Sequence, residues 1–237
     1  MRDFAMKMLT LIVLCCAFVA HASAQYYERS YEQTENRFVH VGFWKKDFAA
    51  RSSNSLPDSL RIGYDRILPT IGFRQGLLDI TFGYARFSLR GEDKTTIVVT
   101  ATIGNEFPLT FSPTQALLLP LMISSDYTRA DNSGGDREAF NIGSVGFGAG
   151  LKYRIMSGAF EFALSASEVA HWSLEGFSTG SGFSPATLAE AQFVFREVAG
   201  LDGITLGYRF RYQSWNMNND KYDYNSLSHG AYLGVMF

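Results

Sequence analysis

The sequence predicts an all-β protein: a closed, antiparallel up-and-down transmembrane β-barrel of ten strands. Three observations favour this fold. Segments of about 10–14 residues alternate apolar and polar side chains, no later segment approaches the apolar length of a spanning helix, and aromatic residues make up 15% of the chain. Alternation with a period of two is typical of strands whose faces meet different environments. Without a spanning helix, only a closed barrel satisfies every backbone hydrogen bond in lipid.

The N-terminus predicts a secretory signal peptide. Arg2 and Lys7 precede an apolar run from Met8 to Ala20, and Ala22-Ser23-Ala24 offers small residues for cleavage. The run is too short for a bilayer-spanning helix, which needs about 20 residues. We therefore expect cleavage after Ala24. The predicted divisions are a signal peptide over 1–24, a periplasmic lead-in over 25–36 and a transmembrane barrel over 37–237.

Composition argues against several kinds of partner. The net charge of −2 gives no electrostatic case for binding nucleic acid. Cys15 and Cys16 both lie in the segment expected to be removed, which leaves no thiol for a disulfide or a metal. His40, His171 and His229 fall on distant strands, without the spacing of a metal site. We expect no metal and no cofactor.

Ten segments have the residue pattern of strands, and turn residues separate them. With the C-terminus on the periplasmic side, most of the longer connections would lie outside the cell. Two of these external connections are 128–138 and 171–186, whereas a turn over 105–114 would be long for the periplasmic side. The predicted strands are 37–46, 60–74, 77–89, 95–104, 115–127, 139–154, 159–170, 187–198, 203–215 and 227–237.

The second segment does not keep one alternating pattern. Ile62 and Tyr64 would place even positions toward lipid, whereas Ile71 and Phe73 would place odd positions there. A bulge at Leu68-Pro69 would reconcile the two halves. Otherwise the first two segments lie outside the barrel and eight strands remain. We favour ten.

The apolar faces of the strands predict contact with lipid. On the ninth segment Ile204, Leu206 and Tyr208 alternate with Thr205 and Gly207. A β-sandwich in water would alternate in the same way, but here the apolar bands are long and edged by aromatic residues, as a membrane girdle requires. Arg86 falls on the predicted lipid face near its outer end, where its head could reach phosphates.

The polar faces predict a lumen network of opposite charges. A turn over 155–158 would place Lys152 opposite Glu161, and a four-residue turn over 199–202 would place Glu190 opposite Arg211 or diagonal to Arg209. Such pairs would largely plug a lumen this narrow, because open porins need about 16–18 strands. Inward glycines could leave a slim channel or make room for the arginines. The predicted lumen charge network is Lys152, Arg154, Glu161, Glu190, Arg196, Arg209 and Arg211.

The last strand carries a family resemblance. Ala231, Leu233, Val235 and Phe237 share one face, and Tyr232 shares the other with glycines. This pattern resembles the C-terminal signature of bacterial outer-membrane β-barrels, whose last strand ends on Phe. The resemblance implies location in the outer membrane, contact with its lipid and lipopolysaccharide, and recognition of this strand by the barrel-assembly machinery. It leaves the oligomeric state open.

One loop predicted at the outer rim has residues that could support catalysis. His171-Trp172-Ser173, with Glu175 close behind, resembles the site of lipid A deacylases, although Leu174 stands where that family has Asn. An imidazole within reach of a hydroxyl can activate a nucleophile. The leading expectation is a non-enzymatic barrel for envelope structure, surface binding or narrow solute passage. The alternative is an outer-leaflet lipid-modifying enzyme that uses His171 and Ser173.

Overall fold

The computed structural model describes residues 36–58, 61–89, 91–132, 140–175 and 180–237. The predicted signal peptide, and the predicted lead-in up to residue 35, lie outside the described residues. The barrel forms one compact unit, Asn36–Phe237. No helix of the described residues is long and apolar enough to cross a membrane.

Ten antiparallel strands follow one another around a closed barrel, and the first pairs with the last. The prediction of ten strands is confirmed, and the alternative of eight is wrong. A short 3-10 helix, Asp220–Tyr222, precedes the last strand. The strands are β1 Arg37–Ala50, β2 Tyr64–Gln75, β3 Leu78–Leu89, β4 Glu92–Phe111, β5 Gln115–Asn132, β6 Phe140–Ser157, β7 Phe160–Glu175, β8 Ser181–Val198, β9 Leu201–Met217 and β10 Tyr224–Met236.

The two rims of the barrel differ in their connections. The rim that holds both Arg37 and Phe237, the terminal rim, has turns of two or three residues. Ala199 and Gly200 form one of them, and both have positive φ (53° and 80°), as the tight turns that suit hairpin twist require. The opposite rim, the distal rim, carries the long connection 51–63.

Two predicted loops are strands in the structure. The turn predicted over 105–114 is wrong, because β4 continues to Phe111 and shifts its register between Pro108 and Thr110. The loop predicted over 171–186 is also wrong, because β7 runs to Glu175 and β8 begins at Ser181. In both cases proline or small polar residues suggested a loop, while the neighbouring strands supply the hydrogen bonds that keep the backbone extended.

The predicted bulge at Leu68-Pro69 does not occur in the pairing of β1 with β2. Their register runs without a shift from the Arg37–Gln75 pair to the Phe48–Tyr64 pair. Tyr64 is buried inside the barrel, so the apolar residue at this end of β2 faces the lumen and not lipid. The prediction failed here because it assumed that the apolar face of every strand meets lipid.

The outer surface of the barrel is apolar. Phe147 is 74% exposed and Phe183 is 50% exposed, although both lie within strands. The inward neighbours of such residues are buried, which is the reverse of a protein that folds around a core in water. Arg86 lies on this outer surface and donates from Nε to the Tyr84 hydroxyl over 2.6 Å. The outer surface also carries Glu168, which accepts a hydrogen bond of 2.7 Å from Thr187.

A charge placed in the middle of this surface tests its contact with lipid. Phe147→Arg is expected to lower the free energy of unfolding by about 2–4 kcal/mol, because an arginine near the bilayer midplane loses its hydration. The measurement is urea unfolding of the protein refolded in phosphatidylcholine vesicles. Phe147→Leu, which stays apolar, should cost much less. If the arginine variant is as stable as the leucine variant, this face does not meet hydrocarbon.

Candidate functional site in the barrel lumen

A cluster of aromatic side chains, the aromatic cap, lies inside the barrel near the distal rim. We define the cap as Phe48, Tyr64, Phe140, Trp215 and Tyr224, all of them buried. Phe48 stacks on Tyr224 with ring centroids 4.7 Å apart and meets the Phe140 ring at 4.8 Å. The five residues come from five different strands, and the Phe140 and Trp215 rings pack edge to face at 5.3 Å. Such ring pairs add about 0.5–1.5 kcal/mol each beyond the area that they bury.

The long distal connection lies over the cap and is held there by hydrogen bonds. The backbone N–H of Ile62 donates to the Tyr224 hydroxyl over 3.2 Å. Asn54 donates from its side-chain amide to the Lys221 carbonyl at 2.8 Å. The Asp223 carboxylate accepts from the backbone N–H of Met217 at 2.9 Å and from the Ser53 hydroxyl. The described parts of the connection 51–63 are therefore tied to the connection 218–223 and to the cap.

A polar cluster lies between the cap and the terminal half of the lumen. The Asp126 carboxylate accepts hydrogen bonds from Arg211 at 3.1 Å and from Gln213 at 3.0 Å, both across the lumen. The Nε2 atom of His171 lies 3.5 Å from the same carboxylate oxygen. Ser184 accepts from Gln213 at 3.3 Å. These contacts join β5, β7, β8 and β9 through their side chains.

Four charged residues form an alternating ring in the terminal half of the lumen. Arg74 contacts Asp79 at 2.6 Å and Glu190 at 2.9 Å. Arg209 contacts Asp79 at 2.7 Å and Glu190 at 2.9 Å. Each carboxylate therefore meets two guanidinium groups, and each guanidinium meets two carboxylates. A buried charge is tolerated only with such partners, because its desolvation costs several kcal/mol.

Inward glycines beside this charge ring make room for aromatic rings. Tyr232 lies directly opposite Gly207, where a β-carbon would collide with its ring. The Arg209 guanidinium lies 4.4 Å from the Tyr232 ring centroid, and the tyrosine hydroxyl donates to Glu190. Phe38 covers Gly234 in the same way.

Other charges line the terminal half as pairs. Lys152 contacts Glu106 at 2.8 Å, and Glu161 contacts Arg196 at 3.1 Å and Arg154 at 3.8 Å. The predicted pairing of Lys152 with Glu161 is wrong. The turn between β6 and β7 has only two residues, so Lys152 lies opposite Ser165 and Glu161 lies opposite Met156.

The predicted partners of Glu190 also need correction. Glu190 lies directly opposite Arg209, whereas Arg211 lies opposite Leu188 and bonds to Asp126. All seven residues of the predicted network thus carry contacts in the lumen, but most of the partners differ from the predicted ones.

Sequence reasoning missed four members of the lumen network: Arg74, Asp79, Glu106 and Asp126. Asp79 had a usable signal, since it alternates with the outward-facing Ile80 and Phe82. Glu106 was placed in the turn predicted over 105–114, because β4 was predicted too short. Asp126 lay within the predicted strand 115–127 but was not assigned to the network. Their partners lie on strands far apart in sequence, and local spacing carries no information on them.

His171 and Ser173 do not lie at an exposed rim. Both are fully buried on the inner face of β7. The Ser173 hydroxyl bonds to the hydroxyls of Ser144 at 2.7 Å and Ser184 at 2.6 Å, while Nδ1 of His171 meets the Ser184 carbonyl at 3.1 Å. No hydrogen bond joins the imidazole to the Ser173 hydroxyl. Among the described residues, no group of three His, Cys, Asp or Glu side chains could hold a metal.

The predicted assembly signal lies on the outer face of β10. Leu233, Val235 and Phe237 are 46%, 43% and 62% exposed, and Ala231 is partly exposed. The backbone N–H of Phe237 donates to the Arg37 carbonyl over 3.2 Å, which extends the closing ladder to the end of the chain.

No protein-family model matches the sequence, and no curated protein matches it. Several solved structures of outer-membrane and surface proteins have weak similarity to it. The outer membrane protease OmpT from Escherichia coli gives a TM-score of 0.38 at 9% identity, over 88% of this chain and 98% of that one. Neisserial surface protein A gives 0.32 at 14% identity, over 85% and 97%. The transport unit of the autotransporter AIDA-I from Escherichia coli gives 0.34 at 10% identity, over 93% and 97%.

Similarity at this level says nothing about chemistry, so the class of the protein follows from its own geometry. Ten antiparallel strands close on themselves, an apolar band faces outward, and paired charges fill the interior. This is the organisation of barrels that cross outer membranes. The chain is a small β-barrel of the outer-membrane type.

Removal of one charge from the ring tests its contribution to stability. Glu190→Gln keeps the shape of the side chain but leaves Arg74 and Arg209 with Asp79 as their shared carboxylate. The free energy of unfolding is expected to fall by about 3–5 kcal/mol, because the variant buries an uncompensated positive charge. Urea unfolding in lipid vesicles measures it. Glu168→Gln, on the outer surface, is the matched control; it breaks no ion pair among the described residues and should not lower the free energy of unfolding to a comparable extent. Equal effects of the two substitutions would contradict the role given to the ring.

Proposed function

We propose that this chain is a non-enzymatic outer-membrane barrel with a closed lumen. Its role is structural, or it binds partners through its distal surface. The observation that carries the proposal is the aromatic cap, in which buried rings from five strands pack against one another inside the barrel. Narrow solute passage, the other expected role, is less favoured, because a solute would have to separate these rings.

The charge ring supports the same proposal from the other half of the lumen. A conducting path would need room beside Arg74, Asp79, Glu190 and Arg209, and the ring of Tyr232 occupies the place that Gly207 leaves free. Around eight strands, side chains can just fill a barrel interior, and ten strands with paired long side chains stay near that limit.

The outer membrane is the proposed location. The apolar outer surface supports it, as does the predicted signal peptide. In that orientation the terminal rim faces the periplasm and the distal rim faces outward. The barrel-assembly machinery and outer-membrane lipid, including lipopolysaccharide, are the proposed partners. The outward residues of β10 would present the assembly signal.

A surface role has support from the distal connections. Hydrogen bonds from Asn54 and to Asp223 tie the connections 51–63 and 218–223 to each other and to the cap. A connection held in one conformation loses less entropy when it binds a partner. The buried position of His171 and Ser173, without a bond between them, supports a non-enzymatic role over the lipid-modifying alternative.

Single-channel recording in planar bilayers tests the closed lumen. The purified, refolded protein is expected to give no steady current. A triple variant of the cap, Phe48→Ala, Phe140→Ala and Trp215→Ala, is expected to raise the frequency of current steps, because it removes three rings from the lumen cross-section.

The matched control for the cap variant removes two phenylalanines and one tryptophan from the outer surface: Phe147→Ala, Phe183→Ala and Trp172→Ala. This control should stay silent, because none of these rings lies in the lumen. A steady current through the unmodified protein would overturn the proposal.

A further inference from the structure

Lys46 is a basic residue inside the barrel that forms no ion pair among the described residues. It lies on β1, and its residue exposure is only 3%. Its ammonium lies 5.9 Å from the centroid of the Phe48 ring, directly below the aromatic cap. Among the described residues it makes neither a hydrogen bond nor an ion pair. An uncompensated charge at such burial is strongly unfavourable.

The charges around Lys46 do not balance. The charged groups that act on it are those of Arg211 and Asp126. The Asp126 carboxylate already accepts from Arg211 at 3.1 Å and from Gln213 at 3.0 Å. When Lys46 is protonated and His171 is neutral, one carboxylate thus faces two cations, and this section of the lumen has an excess of one positive charge.

The two cations flank a hydroxyl group. Lys46 lies directly opposite Ser228 across the β1–β10 ladder, and Ser228 lies directly opposite Arg211 across the β10–β9 ladder. Directly opposed residues point to the same face of a sheet, so all three side chains enter the lumen side by side. Ser228 is itself 5% exposed.

We propose that Lys46, Ser228 and Arg211 form a binding site for a small inorganic anion of the size of chloride. The ammonium and guanidinium supply charge, and the Ser228 hydroxyl supplies a further donor. The aromatic cap and the charge ring occupy the lumen on either side of these residues, which favours a small anion over a large organic one. The bound anion is the counter-charge that this section of the lumen lacks. The site depends on the fold and not on whether the barrel conducts.

Anion-dependent resistance to heat tests the site. The refolded protein is incubated at a series of temperatures in sodium chloride or in sodium gluconate at equal ionic strength, and the folded fraction is read from its gel mobility. Chloride should raise the midpoint by several degrees, because an anion that binds only the folded state stabilises it. Lys46→Met removes the ammonium and should abolish the difference between the two salts.

Lys45→Met is the matched control, because Lys45 is the next residue, faces outward and pairs with Asp65 at 2.8 Å. It should keep the full chloride effect. Crystals of the unmodified protein grown in sodium bromide give a measurement that needs no variant: an anomalous peak should lie against the Lys46 ammonium. Equal midpoints in the two salts, a chloride effect that survives in Lys46→Met, or crystals without that peak would each overturn the proposal.

Discussion

Closure of the sheet is the constraint on which the rest of the structure depends. Because β1 pairs with β10, no strand has a free edge, and the barrel has one face toward lipid and one toward an enclosed interior. Side chains on the inner face meet no hydrocarbon and little bulk water. Each must therefore find its partners among the others. This one requirement explains the paired charges, the aromatic rings packed over glycines and the hydrogen-bonded hydroxyls of Ser144, Ser173 and Ser184.

The interior also fixes how the strands are aligned. A shift of one residue between β8 and β9 would turn the lumen charges toward lipid. A shift of two would keep the faces but separate Glu190 from Arg209, which now lie directly opposite each other. The alternating ring with Arg74 and Asp79 couples this alignment to β2 and β3 on the other side of the barrel. Buried ion pairs are uncertain sources of net stability, but a geometry with two partners for every charge selects one register.

Alternation with a period of two was enough to predict the number of strands and the location of both chain ends at one rim. It also predicted that Arg209 and Arg211 face the lumen. It failed where a side chain's environment depends on strands distant in sequence. Tyr64 is apolar and was placed toward lipid, yet it packs in a cap built from five strands. Asp126 lay in a predicted strand but had no predicted partner, and only the contact with Arg211 across the lumen shows its role. The length of a turn also determines which residues pair. The turn between β6 and β7 has two residues and not the predicted four, so Glu161 does not lie opposite Lys152.

The three tryptophans offer the most direct test of an inside-out barrel with a filled lumen. Trp172 is 57% exposed on the outer surface, whereas Trp44 and Trp215 are buried in the interior at 9% and 0%. Variants that keep one tryptophan and carry Phe at the other two positions can be refolded in vesicles and their fluorescence measured. Lipid brominated in its acyl chains should quench Trp172 strongly and the other two weakly, and aqueous acrylamide should quench Trp44 and Trp215 little. Strong acrylamide quenching of Trp215, or weak quenching of Trp172 by brominated lipid, would contradict the account.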